Sequence, residues 1–302
     1  MKFDLTVIIP TFQMPEHTVA ALESVIAQAG AGLAITVIVV DDASSEPFVS
    51  TVAPTTHCEV RVIRHKRNRG AAAARVTGIK ASTTQWIAFL DADDTFLPHT
   101  LLPRLEFAVA EQRKRPDTPL FVCGGWVERE EDSLRVRIPN PAQSLAALCS
   151  GCWYCPGSTL IVQRRWLTGQ PGCPDAGLRR LEDFDWGIRL GRAGGEVAVW
   201  DGAAARIQPS NITNADAIDQ AAGQILQKHS DLAKEDPPAW HNMKAYLALE
   251  RAAIARRDGH YAQVVRHAVI SQWNRPRLRV HLSPGWTYRP FKVDGLQSPG
   301  SA

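Results

Sequence analysis

Short apolar, β-branched runs alternate with stretches of helical periodicity through the first two-thirds of the chain. Leu5–Pro10, Ile35–Val40, Val60–Ile63 and Trp86–Leu90 each carry the continuous apolar character of a strand buried on both faces. Between them, His17–Ala29 places Val19, Leu22, Val25 and Ile26 at helical spacing, Ala71–Ala81 opens behind Gly70, and Leu101–Gln112 reads as a further helix. Strands alternating with helices predict a parallel, doubly wound sheet. Phe121–Val127 and Thr159–Val162 read as later strands. Leu181–Leu190 reads as a short helix, and Glu196–Trp200 and Ala204–Ile207 as extended pieces.

From Asp216 onward strand signals stop. Helical spacing runs through Ile225/Leu226, Tyr246/Leu249 and Tyr261/Val264/Val265/Ala268, interrupted at Asp236-Pro237-Pro238. The change sets a boundary near residue 215: a nucleotide-binding and catalytic domain over 1–215, then a helical region over 216–302. The last stretch, 283–302, is rich in Pro, Gly and Ser and reads as a docked extension with a frayed tip.

Composition narrows the class. The chain has 302 residues, 45% hydrophobic and 22% charged, ordinary values for a globular protein with a sizeable core. No run approaches a membrane span, and Met1-Lys2-Phe3-Asp4-Leu5 does not resemble a signal peptide. The expectation is a cytoplasmic protein with reduced cysteines. Charge is uneven. Arg251 to Lys292 holds nine basic residues and one acid, a local +8 against −5 for the remainder of a chain with net charge +3. Such a run, bearing Trp273, Trp286 and Tyr288, suits either an anionic partner or membrane surface, or docking on the acidic body. Nucleic acid is not the expected partner.

The candidate chemistry lies where strands end. Trp86–Leu90 runs directly into Asp91-Ala92-Asp93-Asp94, and Ile35–Val40 into Asp41-Asp42. A third acidic cluster, Glu182/Asp183/Asp185, opens a predicted helix. Carboxylates crowded at a strand's carboxyl end repel one another, and a hard divalent cation shared with substrate phosphates relieves that repulsion. Ligands of open α/β sheets bind at that end. Gly70 and four alanines at a helix start allow close backbone approach, and the helix amino terminus favours an anion. Arg75, one turn in, is placed to pair with phosphate or with an Asp.

The ordered set Val7-Ile8-Ile9-Pro10-Thr11-Phe12, Val40-Asp41-Asp42-Ala43-Ser44, Asn68-Arg69-Gly70 with Arg75 and Gly78, Asp91-Ala92-Asp93-Asp94 and Glu182-Asp183-Phe184-Asp185-Trp186 resembles the family 2 glycosyltransferases of the GT-A fold, over roughly residues 5–212. The resemblance implies an α/β, Rossmann-like, mostly parallel sheet flanked by helices, with a C-terminal helical appendage. It implies an inverting glycosyltransferase that moves a sugar from a nucleotide-sugar, a UDP-sugar first, to an acceptor hydroxyl. Pro10, Thr11, Asn68, Gly70, Arg75, Ala92 and Asp41 or Asp42 would line the nucleotide site, with an Asp41 or Asp42 carboxylate accepting from the base. Asp91 would meet the ribose, and Asp93 would hold Mn²⁺ or Mg²⁺. Asp183 would be the catalytic base, with Glu182 beside it. Trp153, Tyr154, Asp185 and Trp186 are the candidates for an acceptor side that takes a glycan, glycolipid or other hydroxyl. Gln13 and Val76 depart from the family's usual Asn, and Arg206–Asn211 offers no late His ligand. The rivals are a nucleotidyltransferase, whose Gly-rich basic loop is missing after Pro10, and a non-catalytic nucleotide-sugar scaffold.

Other motifs yield to context. Gly30-Ala31-Gly32 precedes a strand and so is no dinucleotide loop, and Gln163-Arg164-Arg165-Trp166 is one residue short of the processive-synthase motif and lies before Asp183. Cys149, Cys152 and Cys155 lack the paired spacing of a zinc site and read as thiols lining an acceptor loop.

Overall fold

A computed structural model of the chain describes residues 3–130, 133–208, 215–275 and 286–290. In chain order the elements are β1 (Phe3–Thr11), α1 (Pro15–Ile26), β2 (Leu33–Asp41), β3 (Cys58–Arg64), α2 (Ala71–Ala81), β4 (Trp86–Phe89), β5 (Thr95–Phe96), α3 (Leu101–Lys114), β6 (Leu120–Glu130) and β7 (Ser133–Pro139). Then follow α4 (Leu145–Leu148), β8 (Ile161–Gln163), α5 (Arg164–Thr168), α6 (Glu182–Arg192), β9 (Glu196–Arg206), α7 (Ala215–Lys228), α8 (Leu232–Glu235), α9 (Pro237–Arg257), α10 (Tyr261–Asn274) and β10 (Trp286–Pro290).

The strands form one sheet in the order β10-β7-β6-β8-β4-β1-β2-β3. Its β3-β2-β1-β4 half is parallel, whereas β8 and β7 run antiparallel to their neighbours. The chain leaves β1 toward β2 on one side and returns through α2 to β4 on the other. Strand order therefore reverses at β1, which opens a crevice at the carboxyl ends of β2, β1 and β4.

Alternation along β1 explains the layering. Leu5, Val7 and Ile9 face a core shared with Leu22 and Val25 of α1 and Leu101 and Leu105 of α3. Ile8 points the other way, into a core with Ile79 of α2, Phe89, Phe121, and Trp186 and Leu190 of α6. Helices cover both faces, so the central strands carry no polar alternation.

The expected boundary near 215 falls at the start of α7, but the helices beyond it are not a detached appendage. Phe184 and Ile188 of α6 share a core with Ile225 of α7 and Met243 and Leu247 of α9. The tail contributes a strand as well: β10 pairs antiparallel with β7, Trp286 opposite Pro139 through Pro290 opposite Arg135. The docked extension holds for those five residues. The other residues of 276–302 lie outside the described ones. Among the described residues no helix is long and apolar enough to cross a membrane.

Two expected acceptor residues are instead structural. Asp185 is 0% exposed, and its carboxylate accepts from Arg189 Nε at 2.9 Å and Lys228 Nζ at 2.9 Å and contacts His229 Nε2 at 2.9 Å. It thereby ties α6 to the end of α7. Trp186 is 1% exposed, stacks edge-on against Phe89 and Phe121, and donates Nε1 to Gly172 O at 2.8 Å. Their partners explain both: the Asp185 carboxylate is held by Lys228 and His229, and the Trp186 ring is packed between Phe89 and Phe121.

Burial alone would raise the Asp185 carboxyl, but His229, Arg189 and Lys228 outweigh it and hold it at about 2. The unfolded carboxyl titrates near 3.9. The ionised form therefore stabilises the fold above that value by about 2 kcal/mol, and the gain is lost as pH falls from about 4 toward 2. Asp185→Asn is expected to lower the midpoint of urea unfolding at pH 7 and to flatten the fall in stability between pH 4 and 2. An unchanged acid limb in the variant contradicts this.

Candidate functional site

Three strand ends build the crevice. β1 ends in Pro10 and Thr11, and the Thr11 hydroxyl is fixed by Thr18 Oγ1 at 2.6 Å. β2 ends in Asp41, followed by Asp42. Both are buried, and both carboxylates are occupied within the protein. Asp41 accepts from Ser44 N at 2.9 Å and Phe48 N at 3.1 Å and faces Arg64 at 3.5 Å. Asp42 accepts from Arg69 N at 2.9 Å and Gly70 N at 2.6 Å and contacts His65 Nδ1 at 2.6 Å. Where the sequence led to an expected contact with a base, both carboxylates are engaged by amides of the loops that border the crevice.

The 68–70 loop is accordingly rigid. Arg179 Nη1 donates to Asn68 Oδ1 at 2.8 Å, and Asp42 takes the next two amides. Gly70 has φ 92 and ψ 162, which favours glycine over any side-chain-bearing residue. No side chain caps α2, so its first amides remain available to an anion.

Arg75, on the second turn of α2, joins the acidic clusters. Its side chain is 9% exposed, with Nη2 2.6 Å from Asp91 Oδ1 and Nη1 3.0 Å from Glu182 Oε1. Desolvation opposes the charged guanidinium, but the two carboxylates prevail and hold it protonated. Arg75 therefore pairs with Asp91, one of the two partners the sequence left open, and also takes Glu182.

After β4 the three acids part company. Asp91 faces Arg75. Asp94 is buried, bonded by the Ser158 hydroxyl and by Gln208 N at 2.9 Å, and burial with the nearby Asp91 charge pushes it up to about 8. Asp93 carries no ion pair among the described residues, and burial followed by Asp91 raises it too. Ala92 is buried between them. Carboxylate oxygens crowded at one strand end are donors of the kind a hard cation takes, but among the described residues no three His, Cys, Asp or Glu side chains are arranged to cage one.

Asp183 stands apart. Leu181 adopts φ 57 and ψ 20, a left-handed turn that directs Glu182 and Asp183 into the cleft. Glu182 is taken by Arg75. Asp183 accepts from Phe184 N at 2.7 Å, lies beside the Cys152 thiol, and is pushed up by burial against those hydrogen bonds. The cleft, about 440 Å³, is lined by Arg75, Asp91, Asp183, Tyr154, Glu250 and Tyr246 among others. Tyr154 borders it. Trp153 does not: it is buried, donates Nε1 to Asn140 O at 2.7 Å, and meets Tyr154 edge-on. Cys152 and Cys155 line the cleft, as read for an acceptor loop. A larger groove of about 920 Å³ opens at the opposite, amino ends of the strands, around Phe3, His57 and Trp86, away from these acids.

Sequence reasoning missed Gly157 and Ser158, which precede β8, and Tyr246 and Glu250 of α9. Only contacts reveal them: a Cβ on Gly157 would stand 2.1 Å from Asp91 Oδ2, and Ser158 Oγ accepts from Asp91 N at 3.1 Å.

A parallel half-sheet with acids at the ends of β2 and β4 and a further acidic helix start is the arrangement of the GT-A class of glycosyltransferase fold. Residues 6–145 match the family model described as glycosyl transferase family 2. It is 39% identical over 107 residues to the succinoglycan biosynthesis protein ExoO of Rhizobium meliloti, covering 35% of this chain and 30% of that protein. It is 38% identical over 186 residues to an uncharacterized glycosyltransferase of Haemophilus influenzae, covering 62% and 61%. The chain thus spans less than two-thirds of the length of either relative. The fold is also that of TarS 1–349 from S. aureus, solved in complex with UDP-GlcNAc, with TM-score 0.55, 16% identity and 98% of both chains covered.

Gly157→Ala is expected to displace the Asp91 carboxylate and break its pair with Arg75. Stability should fall by about 1.5–3 kcal/mol, roughly one charge-assisted hydrogen bond, read as a lower midpoint of urea unfolding. A wild-type midpoint in the variant contradicts this.

Proposed function

We propose that this protein is an inverting glycosyltransferase that uses a UDP-sugar and an acceptor hydroxyl, with Asp183 as the base. One observation carries the reading. Asp183 opens into the cleft that holds the Arg75–Asp91 pair, while its neighbour Glu182 is neutralised by Arg75. In a single displacement at the anomeric carbon, one group takes the acceptor's proton as the new bond forms, and a carboxylate raised by burial suits that task. Arg75 fixes Asp91 and Glu182 so that neither moves as charge shifts. Asp93, with Asp91 nearby, would hold Mn²⁺ or Mg²⁺, which when bound neutralises charge on the departing diphosphate. The family 2 match and the fold shared with TarS, which was solved with UDP-GlcNAc, support UDP as the nucleotide.

Asp183→Asn removes proton affinity and keeps the shape. Transfer should fall by about 10²-fold or more while UDP still binds. Excess chelator should abolish turnover of the wild type, and Mn²⁺ or Mg²⁺ should restore it. Free UDP with a new glycoside is the expected product, and pyrophosphate would indicate nucleotidyl chemistry. Full activity of Asp183→Asn removes the base assignment, and full activity in chelator removes the metal.

The same reading includes peripheral contact with a membrane that carries the acceptor. Tyr261, Val265, Val269 and Trp273 of α10 are 72%, 64%, 60% and 85% exposed at four-residue spacing, an apolar ridge at the head of the basic run. Aromatic ends, an aliphatic middle and nearby cations suit an anionic lipid surface, each cation adding about 1 kcal/mol. Salt-sensitive flotation with anionic liposomes is expected, lost in a Val265→Glu, Val269→Glu double variant. A wild type that stays unbound at low salt contradicts it.

A further inference from the structure

The cleft beyond Asp183 has a wall that the sheet does not supply. α9 crosses it, and Tyr246, Glu250 and Ile254 follow one another at four-residue spacing into the cavity that Asp183 lines. This wall is firmly placed. The Tyr246 ring lies 4.5 Å, centre to centre, from that of Phe184, the residue after the base. Its edge lies 3.1 Å from where a Cβ on Gly151 would stand, so the acceptor loop and α9 are in close contact. The Tyr246 hydroxyl faces the Glu250 carboxylate one turn further on, on the same side of α9.

Glu250 has no ion pair among the described residues. Burial raises its carboxyl, opposed by the Tyr246 hydroxyl, and its charge is felt at Asp183. Glu250 is half-buried, and an acid partly withdrawn from water with no ion pair is a cost to the fold; such groups concentrate where ligands bind. The fold has no need of it: the shared core of α9 and α6 is made by Met243, Leu247 and their apolar neighbours on the same helix.

The chemistry around Glu250 is specific in kind. Trp126, Tyr154 and Tyr246 offer aromatic surface, and Ile218 and Ile254 aliphatic surface. Two carboxylates, Asp183 and Glu250, accept hydrogen bonds. Aromatic faces with carboxylate acceptors suit the C–H face and hydroxyl edge of a sugar ring. An anionic acceptor would meet like charge on Asp183 and Glu250; of the cations lining the cleft, Arg75 is taken by Asp91 and Glu182, and Arg180 stands beside them.

We propose that α9 supplies the acceptor subsite, in which Glu250, steadied by Tyr246, binds one hydroxyl of a neutral pyranose while a second hydroxyl faces Asp183. This rests on the reading of Asp183 as the transfer base. It relocates the acceptor side from α6, whose Asp185 and Trp186 point into the protein, to the helical region beyond residue 215.

Ligand-observed NMR tests it with methyl glycosides of glucose, galactose, N-acetylglucosamine and rhamnose as probes, each with saturating UDP. At least one glycoside should show saturation transfer from the wild type. Its affinity should fall tenfold or more in Glu250→Gln and clearly in Tyr246→Phe, while UDP affinity by calorimetry stays within twofold. Glu250→Gln should be at least as thermally stable as the wild type, since it removes a half-buried charge. UDP binding with no glycoside bound overturns the subsite. So does glycoside binding undiminished in both variants, or a parallel loss of UDP affinity. A wild type that fails to bind UDP overturns the transferase reading itself, and this one with it.

Discussion

Everything at the cleft depends on one buried cation. Arg75 sits between Asp91, at the end of β4, and Glu182, at the start of α6, with contacts of 2.6 and 3.0 Å. Taking a guanidinium out of water is costly, and the cost is met here only because two carboxylates converge on it. The dependence is mutual. Without Arg75, Asp91 and Glu182 would stand as like charges in one pocket, with Asp183, Asp93 and Asp94 nearby. Breaking a buried pair costs about 3–5 kcal/mol, a large share of a domain's stability. The same contact sets chemical identity, because Arg75 pairs with Glu182 and leaves Asp183 as the carboxylate of that helix start with no ion pair among the described residues.

The parallel half of the sheet was legible because its strands are buried on both faces, which writes β1, β2 and β4 as unbroken apolar runs ending in acids. The later part was less so. β7 was missed although Leu134, Val136 and Ile138 alternate with Arg135 and Arg137. Two short extended readings merged into the single β9, whose Gly202 interrupts the apolar run without ending the strand. At the site, residue type was legible and partner was not. Asp41 and Asp42 look alike beside Asp91 and Asp93 in the sequence, yet the first two are taken up by backbone amides of neighbouring loops. Which acid remains for a ligand is a property of tertiary contacts.

The acceptor side shows the same limit from another direction. Glu182, Asp183, Asp185 and Trp186 are contiguous, and proximity in sequence suggested a shared role. Helical phase does not separate them, since Trp186 lies one turn after Glu182 on nearly the same face; their tertiary partners do. Asp183 turns toward the cavity, Asp185 toward Lys228 and His229, and Trp186 toward Phe89 and Phe121. Glu250 lies 67 positions after Asp183 in a stretch read only as helical, and no local pattern marks it. Its apolar neighbours dock α9 on α6, and docking fixes which of its residues meets the cleft.

That docking gives the region beyond residue 215 two linked tasks. The core shared by Phe184, Ile188, Ile225, Met243 and Leu247 joins α6, α7 and α9, and the Asp185 contacts to Lys228 and His229 fix α7 against the helix that presents the base. A displacement of α9 would therefore disturb both the wall that carries Glu250 and the helix that carries Asp183. Stability and the geometry of that wall are coupled through α6. The strand ends are buttressed separately, by the sheet and by Asp42 and Arg179 on the 68–70 loop. On the reading proposed above, substitutions on the outer turns of α9 would change the acceptor wall while the donor side stays in place, the separation that lets one donor site serve different acceptors.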